Sequence, residues 1–231
     1  MYTKALLEQL LKAGSDVMEN NKSASAAPTS VDRSSVSHLL SGFGGGALSG
    51  GTLAMLLGSK KGRRLGGKVM TYGGLAALGL LAYKAYDNWQ QRNKGSVDQH
   101  EPQTVERLPA PEAERHSHAI LKALIGAAKS DGHIDQQERD LIDREIAKLT
   151  SDFSLRRWFE QELAKPLDPA DIASSATTEE MAAEMYLASL LVINEQNYME
   201  GAYLQELARQ LKLPVDLKAE LDFQAKQALT E

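Results

Sequence analysis

The pattern of apolar and polar positions divides the chain into three kinds of stretch. In residues 3–18, Leu6, Leu7, Leu10, Leu11, Ala13 and Val17 fall at helical spacing, with Lys4, Glu8, Gln9, Lys12 and Asp16 largely on the other face. That predicts an amphipathic helix within residues 1–20, better suited to packing on a partner helix than to lying on a membrane. From Leu39 to Ser59, and again between Lys68 and Lys84, the alternation gives way to uncharged residues. From Glu112 onward a helical period returns and persists, with no strand-like alternation of useful length.

In this last region, residues 112–231, six or seven helices are predicted. The first runs to about Lys129, followed by helices near Gln136–Leu149 and Phe153–Ala164, the latter stopping before Pro166. Asp168-Pro169 opens a short turn of helix, Asp as cap and Pro at the first helical position. Thr177-Thr178-Glu179-Glu180 is a capping box for a strongly apolar helix, and two more helices follow near Met199–Leu211 and Val215–Leu229. About 120 residues in short helices suffice to bury one core.

The uncharged stretches are glycine-rich. Of 18 glycines, 13 lie between Gly42 and Gly79. Each interior glycine costs a helix in water about 0.8–1 kcal/mol relative to Ala, whereas in a bilayer small residues let helices pack closely. Residues 39–89 are therefore expected to be a membrane segment, with one span at about 65–86, alone or in a hairpin with 39–59. The 22 residues from Leu65 to Tyr86 would make roughly 33 Å of helix, with Lys68 and Lys84 near its ends and Tyr83, Tyr86 and Trp89 at one boundary. Gly42, Gly46, Gly50, Ala54, Gly58, Gly62 and Gly66 recur at every fourth position, a stripe suited to homo-oligomerisation. The flanks, residues 21–38 and 90–111, read as linkers, the second with Pro102, Pro109 and Pro111.

Charge separates the halves. Residues 1–100 carry 12 Lys+Arg and 6 Asp+Glu, a net of +6; residues 101–231 carry 14 and 25, a net of −11. Lys60, Lys61, Arg63 and Arg64 form a basic cluster which the positive-inside rule puts in the cytoplasm, whether it precedes a single span or forms the loop of a hairpin; both topologies leave the C-terminal domain on the periplasmic side. The cluster is too short, and the larger domain too acidic, for nucleic-acid binding. Without cysteine there is no thiol nucleophile and no disulfide. No Ser/His/Asp set, nucleotide loop or H-E-x-x-H element appears, so no catalytic residue and no cofactor site is assigned. His116 and His118 suit an exposed linker edge better than a metal pair.

One motif stands apart from packing. Ser130-Asp131-Gly132-His133-Ile134-Asp135-Gln136-Gln137-Glu138 matches the second half of an EF-hand calcium loop, but Ala127 and Lys129 occupy the two earlier ligand positions. A turn at Asp131-Gly132 and a capping box from Asp135 to Glu138 account for the same residues without a metal. A degenerate second copy follows the later apolar helix, at Ile193 to Glu200.

Ala127 to Glu138, with Glu200 to Leu211 as its second half, resembles the TerB-like domain of tellurite-resistance proteins. The whole layout, with its Gly-rich N-terminal segment, is similar to the YebE family of bacterial inner-membrane proteins. The resemblance implies an all-α TerB-like bundle, an inner-membrane location, and acidic turn residues suggested to bind metal, which map onto Asp131, Asp135, Glu138 and Glu200. Asn194 stands where an acidic residue is common, which lowers the metal affinity implied. The expectation is a non-enzymatic protein held to the lipid bilayer, whose acidic domain binds a protein partner or senses envelope stress. The alternative is a divalent-metal or tellurite-stress module built on the turn from Asp131 to Glu138.

Overall fold

The computed structural model describes residues 3–11, 74–93, 101–130, 136–193 and 198–230, and every regular element among them is a helix. Helix α1 spans residues 3–11. It is followed by α2 (Gly74–Arg92), α3 (Ala110–Ala128), α4 (Gln136–Leu149), α5 (Phe153–Ala164), α6 (Pro169–Ala173), α7 (Glu179–Val192), α8 (Tyr198–Gln210) and α9 (Val215–Thr230). The expected stripe of small residues, the run 39–59 and residues 65–73 of the expected span lie outside the described residues.

Local chemistry sets the helix ends. The Asp168 carboxylate accepts from the Ala170 amide at 2.9 Å, ahead of Pro169, and Asp152 caps α5 through the amides of Ser154 and Leu155. Thr178 Oγ1 accepts from the Met181 amide at 3.1 Å. The helix it opens, α7, is buried at every position but Glu179 and Leu191. A helix apolar on all sides has to be surrounded, and α7 is the centre of the bundle, packed by α2, α3, α8 and α9. Helices α3 and α7 run in the same direction, since His116 meets Glu184 and, one step further along both, Ser189 Oγ donates to the Ala123 carbonyl at 3.3 Å.

The second half of the expected span behaves as a core helix. Leu75, Leu78, Ala82, Ala85, Tyr86 and Trp89 are buried on one stripe of α2, against α7 and α9. The opposite side carries Lys84 and Leu80, the latter 58% exposed. Tyr86 and Trp89, expected at a lipid boundary, stack edge to face at 5.2 Å inside the protein. Polar bonds fix the helix: Tyr86 OH donates to Glu179 at 2.7 Å, Asn88 to Glu220 at 2.9 Å, and Arg92 pairs with Glu220 at 2.7 Å. The carboxylate of Glu220 is pushed up by burial, but the bonds from Gln224 and Asn88 and the Arg92 charge outweigh that and hold it below the usual range. Among the described residues no helix is long and apolar enough to cross a membrane.

Two further segments pack on the bundle. The leucines of α1, Leu6, Leu7, Leu10 and Leu11, are part of the hydrophobic core, and the amides of Thr3 and Lys4 donate to Glu114 of α3 at 2.5 and 3.2 Å. That carboxylate meets the free amides at the start of α1, where negative charge is favoured. Residues 101–109, read from their prolines as an extended linker, lie instead as a strap across the bundle, with Pro102, Thr104 and Val105 buried.

Close packing at Gly126 joins α3, α6 and α8. A Cβ there would lie 2.3 Å from Ile172 Cδ1 and 2.7 Å from Tyr203 OH. Gly126→Ala is therefore expected to destabilise the fold by about 1–3 kcal/mol, read as a lower urea midpoint at unchanged slope.

Candidate functional site

The residues expected to form a metal site fall at one end of the bundle. Because α3 and α7 are parallel, Ser130 and Ile193, which precede the two acidic turns, are at the same end. Asp131 and Asp135 lie outside the described residues. Glu138 lies on the first turn of α4, its side chain outside the description. Glu200 is buried on the first turn of α8, where a carboxylate complements the free amides. Among the described residues no group of three or more His, Asp or Glu is placed to hold a metal ion.

Midway along the same helix pair, the structure assembles a polar cluster that the sequence did not point to. Glu184, fully buried in the middle of α7, receives the Val105 amide of the strap on Oε1 at 2.6 Å. Its Oε2 lies 2.5 Å from His116 Nδ1 of α3. His116, expected on an exposed edge, is 4% exposed. Desolvation pushes the Glu184 carboxyl up and Glu106 adds to it, against the opposing effects of His116 and the Val105 amide.

The strap brings a second carboxylate. Glu106 Oε1 accepts from Thr104 Oγ1 at 2.7 Å, while Oε2 is buried against Gly79 with no hydrogen-bond partner among the described residues. A Cβ on Gly79 would lie 1.8 Å from that oxygen, so the absence of a side chain on α2 is what admits the strap. Arg107 stacks over the Tyr83 ring at 3.9 Å, pairs with Glu101 and lies 3.7 Å from Oε1 of Glu106. Every member of the cluster lies between elements far apart in sequence, which is why spacing gave no signal. The one available hint was Glu184 itself, a charge in the middle of an otherwise apolar helix.

His118, two residues from His116, faces a different neighbour. It stacks on Trp158 of α5 at 4.1 Å, and burial lowers its affinity for a proton. The two histidines therefore share no site. Below them a small crevice is lined by Lys122, Gly126, Lys129, Lys165 and Asp171. Its cations are already engaged: Lys122 bonds the carbonyl and carboxylate of Asp171, and Lys129 donates to the carbonyls of Glu162 and Lys165 at the end of α5. The arrangement ties α5 and α6 to α3.

The described residues form an all-helical domain. The chain belongs to the family DUF533, described as a protein of unknown function, which it matches over residues 42–225 and which is related to TerB-like domains. The matched region takes in α2 and the strap together with the later helices. A Yersinia enterocolitica protein, described as an uncharacterized protein in the ampR 5′ region, is 36% identical over 120 residues, 52% of this chain and 85% of that protein. No solved structure matches the chain.

Removing one partner of a buried pair leaves the other desolvated and unsatisfied. His116→Ala is expected to destabilise the domain by about 3–5 kcal/mol, measured by urea unfolding of the full chain.

Proposed function

We propose that this is a non-enzymatic, membrane-associated protein of the YebE type, in which a Gly-rich segment holds an acidic helical domain at a lipid surface where it binds a protein partner. The observation that carries the reading is that α1 and α2, which flank the segment, both dock on the same domain. A segment that leaves and returns to one body enters and leaves the bilayer by one face. With α2 engaged from Leu75, only nine residues of the expected second span, 65–73, precede the helix that docks on the domain. As helix they reach about 14 Å, against about 30 Å of hydrocarbon. A re-entrant excursion therefore accounts for the chain better than a through-going span.

This arrangement brings Lys60, Lys61, Arg63, Arg64 and Lys68 to the face from which the segment returns. The positive-inside rule then favours a cytoplasmic domain, the reverse of the orientation expected for either a single span or a hairpin. The same cations would meet anionic headgroups. Two measurements test the reading. The full chain is expected to pellet with membranes at low salt, and its appearance in the supernatant would remove the membrane role. As the chain has no cysteine, single-cysteine variants Glu8→Cys and Arg157→Cys can each be labelled with an impermeant maleimide. Both should react from the same side; reaction from opposite sides would refute the re-entrant arrangement.

A second reading, a divalent-metal or tellurite-stress module, is favoured by the parallel packing of α3 and α7. It brings the residues before both acidic turns to one end, with Glu200 nearby and Asp131, Asp135 and Glu138 as the remaining candidate ligands. Residues 112–231 alone would lack α2 and the strap, so the full chain is the sample to use. Binding to the folded state raises the melting temperature with cation concentration. The reading requires a rise with Ca²⁺, Mg²⁺ or Zn²⁺ that Asp131→Ala abolishes; no shift in either protein would leave the turn a helix cap.

A further inference from the structure

We propose that residues 101–109 are a proton-gated strap: the buried His116–Glu184 pair holds the strap, and through it α2, while the pair is neutral overall, and loosens it when loss of a proton leaves the pair with a net negative charge. Burial favours the extra proton, because Glu184 is fully buried and a net charge on the pair is held away from water. An imidazole nitrogen and a carboxylate oxygen 2.5 Å apart, both desolvated, must have a hydrogen between them. With an extra proton on the pair, it is neutral overall, either as imidazolium with carboxylate or as two uncharged groups. Without it, neutral His116 can still donate from Nδ1, but the interior then holds a net negative charge.

That charge would be faced by a second carboxylate on the strap itself. Glu106 follows Val105 directly, and its Oε2 is already buried without a hydrogen-bond partner among the described residues. From α3 the pair receives only His116, and from the strap only Glu106 and the Val105 amide act on Glu184. Of the charged groups on the neighbouring elements, Arg107 is shared between Glu101, the Tyr83 ring and Oε1 of Glu106, while Glu179 is committed to Tyr86, Glu220 to Asn88, Gln224 and Arg92, and Lys218 to Asp222. Arg107 pairs with the outer oxygen of Glu106, Oε1, at 3.7 Å and is partly exposed, so it offsets the Glu106 charge only in part. Glu184 itself has no ion-pair partner but His116 among the described residues, and repulsion between Glu184 and Glu106 therefore acts on the strap.

The sign follows from linkage. Burial raises the Glu184 carboxyl above its unfolded value, so the native state binds the proton more tightly than the unfolded chain does. The stability this confers is present at low pH and is lost as pH rises through the titration of the buried Glu184 carboxyl. Loosening the strap removes the Val105 and Glu106 contacts from Gly79, and so weakens the docking of α2.

Hydrogen exchange on the full chain, corrected at each pH for the intrinsic rate, reads this directly. Protection of the Val105 amide is expected to fall on the order of tenfold or more between about pH 5 and about pH 9, while amides within α5 keep theirs. Glu184→Gln, which keeps an acceptor for Val105 but cannot ionise, should flatten the profile. Glu106→Gln, which leaves the pair intact and removes the opposing carboxylate, should shrink the fall and carries the test if Glu184→Gln does not fold. A flat wild-type profile would overturn the proposal, as would a folded variant of either kind that keeps the full wild-type fall.

Discussion

A carboxylate in the middle of a helix that is covered on every side has nowhere to find water, and Glu184 puts that constraint at the centre of this fold. The residual cost of burying an unpaired charge is several kcal/mol, comparable with the whole stability of a small domain. The structure meets it from two directions: His116 arrives from α3 and the Val105 amide from the strap. The first contact fixes the register of α3 along α7. The second holds a proline-rich connection against the bundle and carries Glu106 onto Gly79 of α2. The central helix, its parallel neighbour and the helix leading out of the Gly-rich segment are thus coupled through one side chain.

The same coupling changes how the Gly-rich region is understood. Hydropathy alone makes residues 65–86 one uncharged helix with lysines near its ends, and in isolation that pattern suits lipid. Apolar area is satisfied equally well by protein. In α2 the leucines and alanines form one stripe that α7 and α9 cover, and Asn88 and Arg92 close onto Glu220 beyond it. A helix so engaged is part of the domain, and any contact with lipid is left to the chain before it. Because α1 is docked as well, both exits of that chain are fixed to one body.

Much of the helical layout was legible because it depends on local rules. Asp168 with Pro169 and Thr178 ahead of an apolar run mark helix starts whose hydrogen bonds are between near neighbours. The repeat of apolar helix, polar turn and acidic helix start was also visible, and the parallel packing of α3 and α7 gives it a spatial meaning. The candidate ligands within the turns could be named from sequence, but of the four only Glu200 has a described side chain, and it is buried. The His116–Glu184–Glu106 cluster was not legible. Its members are separated by up to 78 positions and no period relates them, so His116 read as an edge residue.

By itself the sequence determined the all-helical class, most helix boundaries, the unequal charge of the two halves and the family resemblance, since propensity, capping and composition act over a few residues at a time. Tertiary structure decided which apolar faces meet one another. Covering α7 on all sides drew α2, the strap and α1 into one core, converted an expected linker into a packed element, and turned His116 from a surface residue into the partner of a buried acid. Those outcomes rest on desolvation and close packing between distant segments, which no local pattern in a chain encodes.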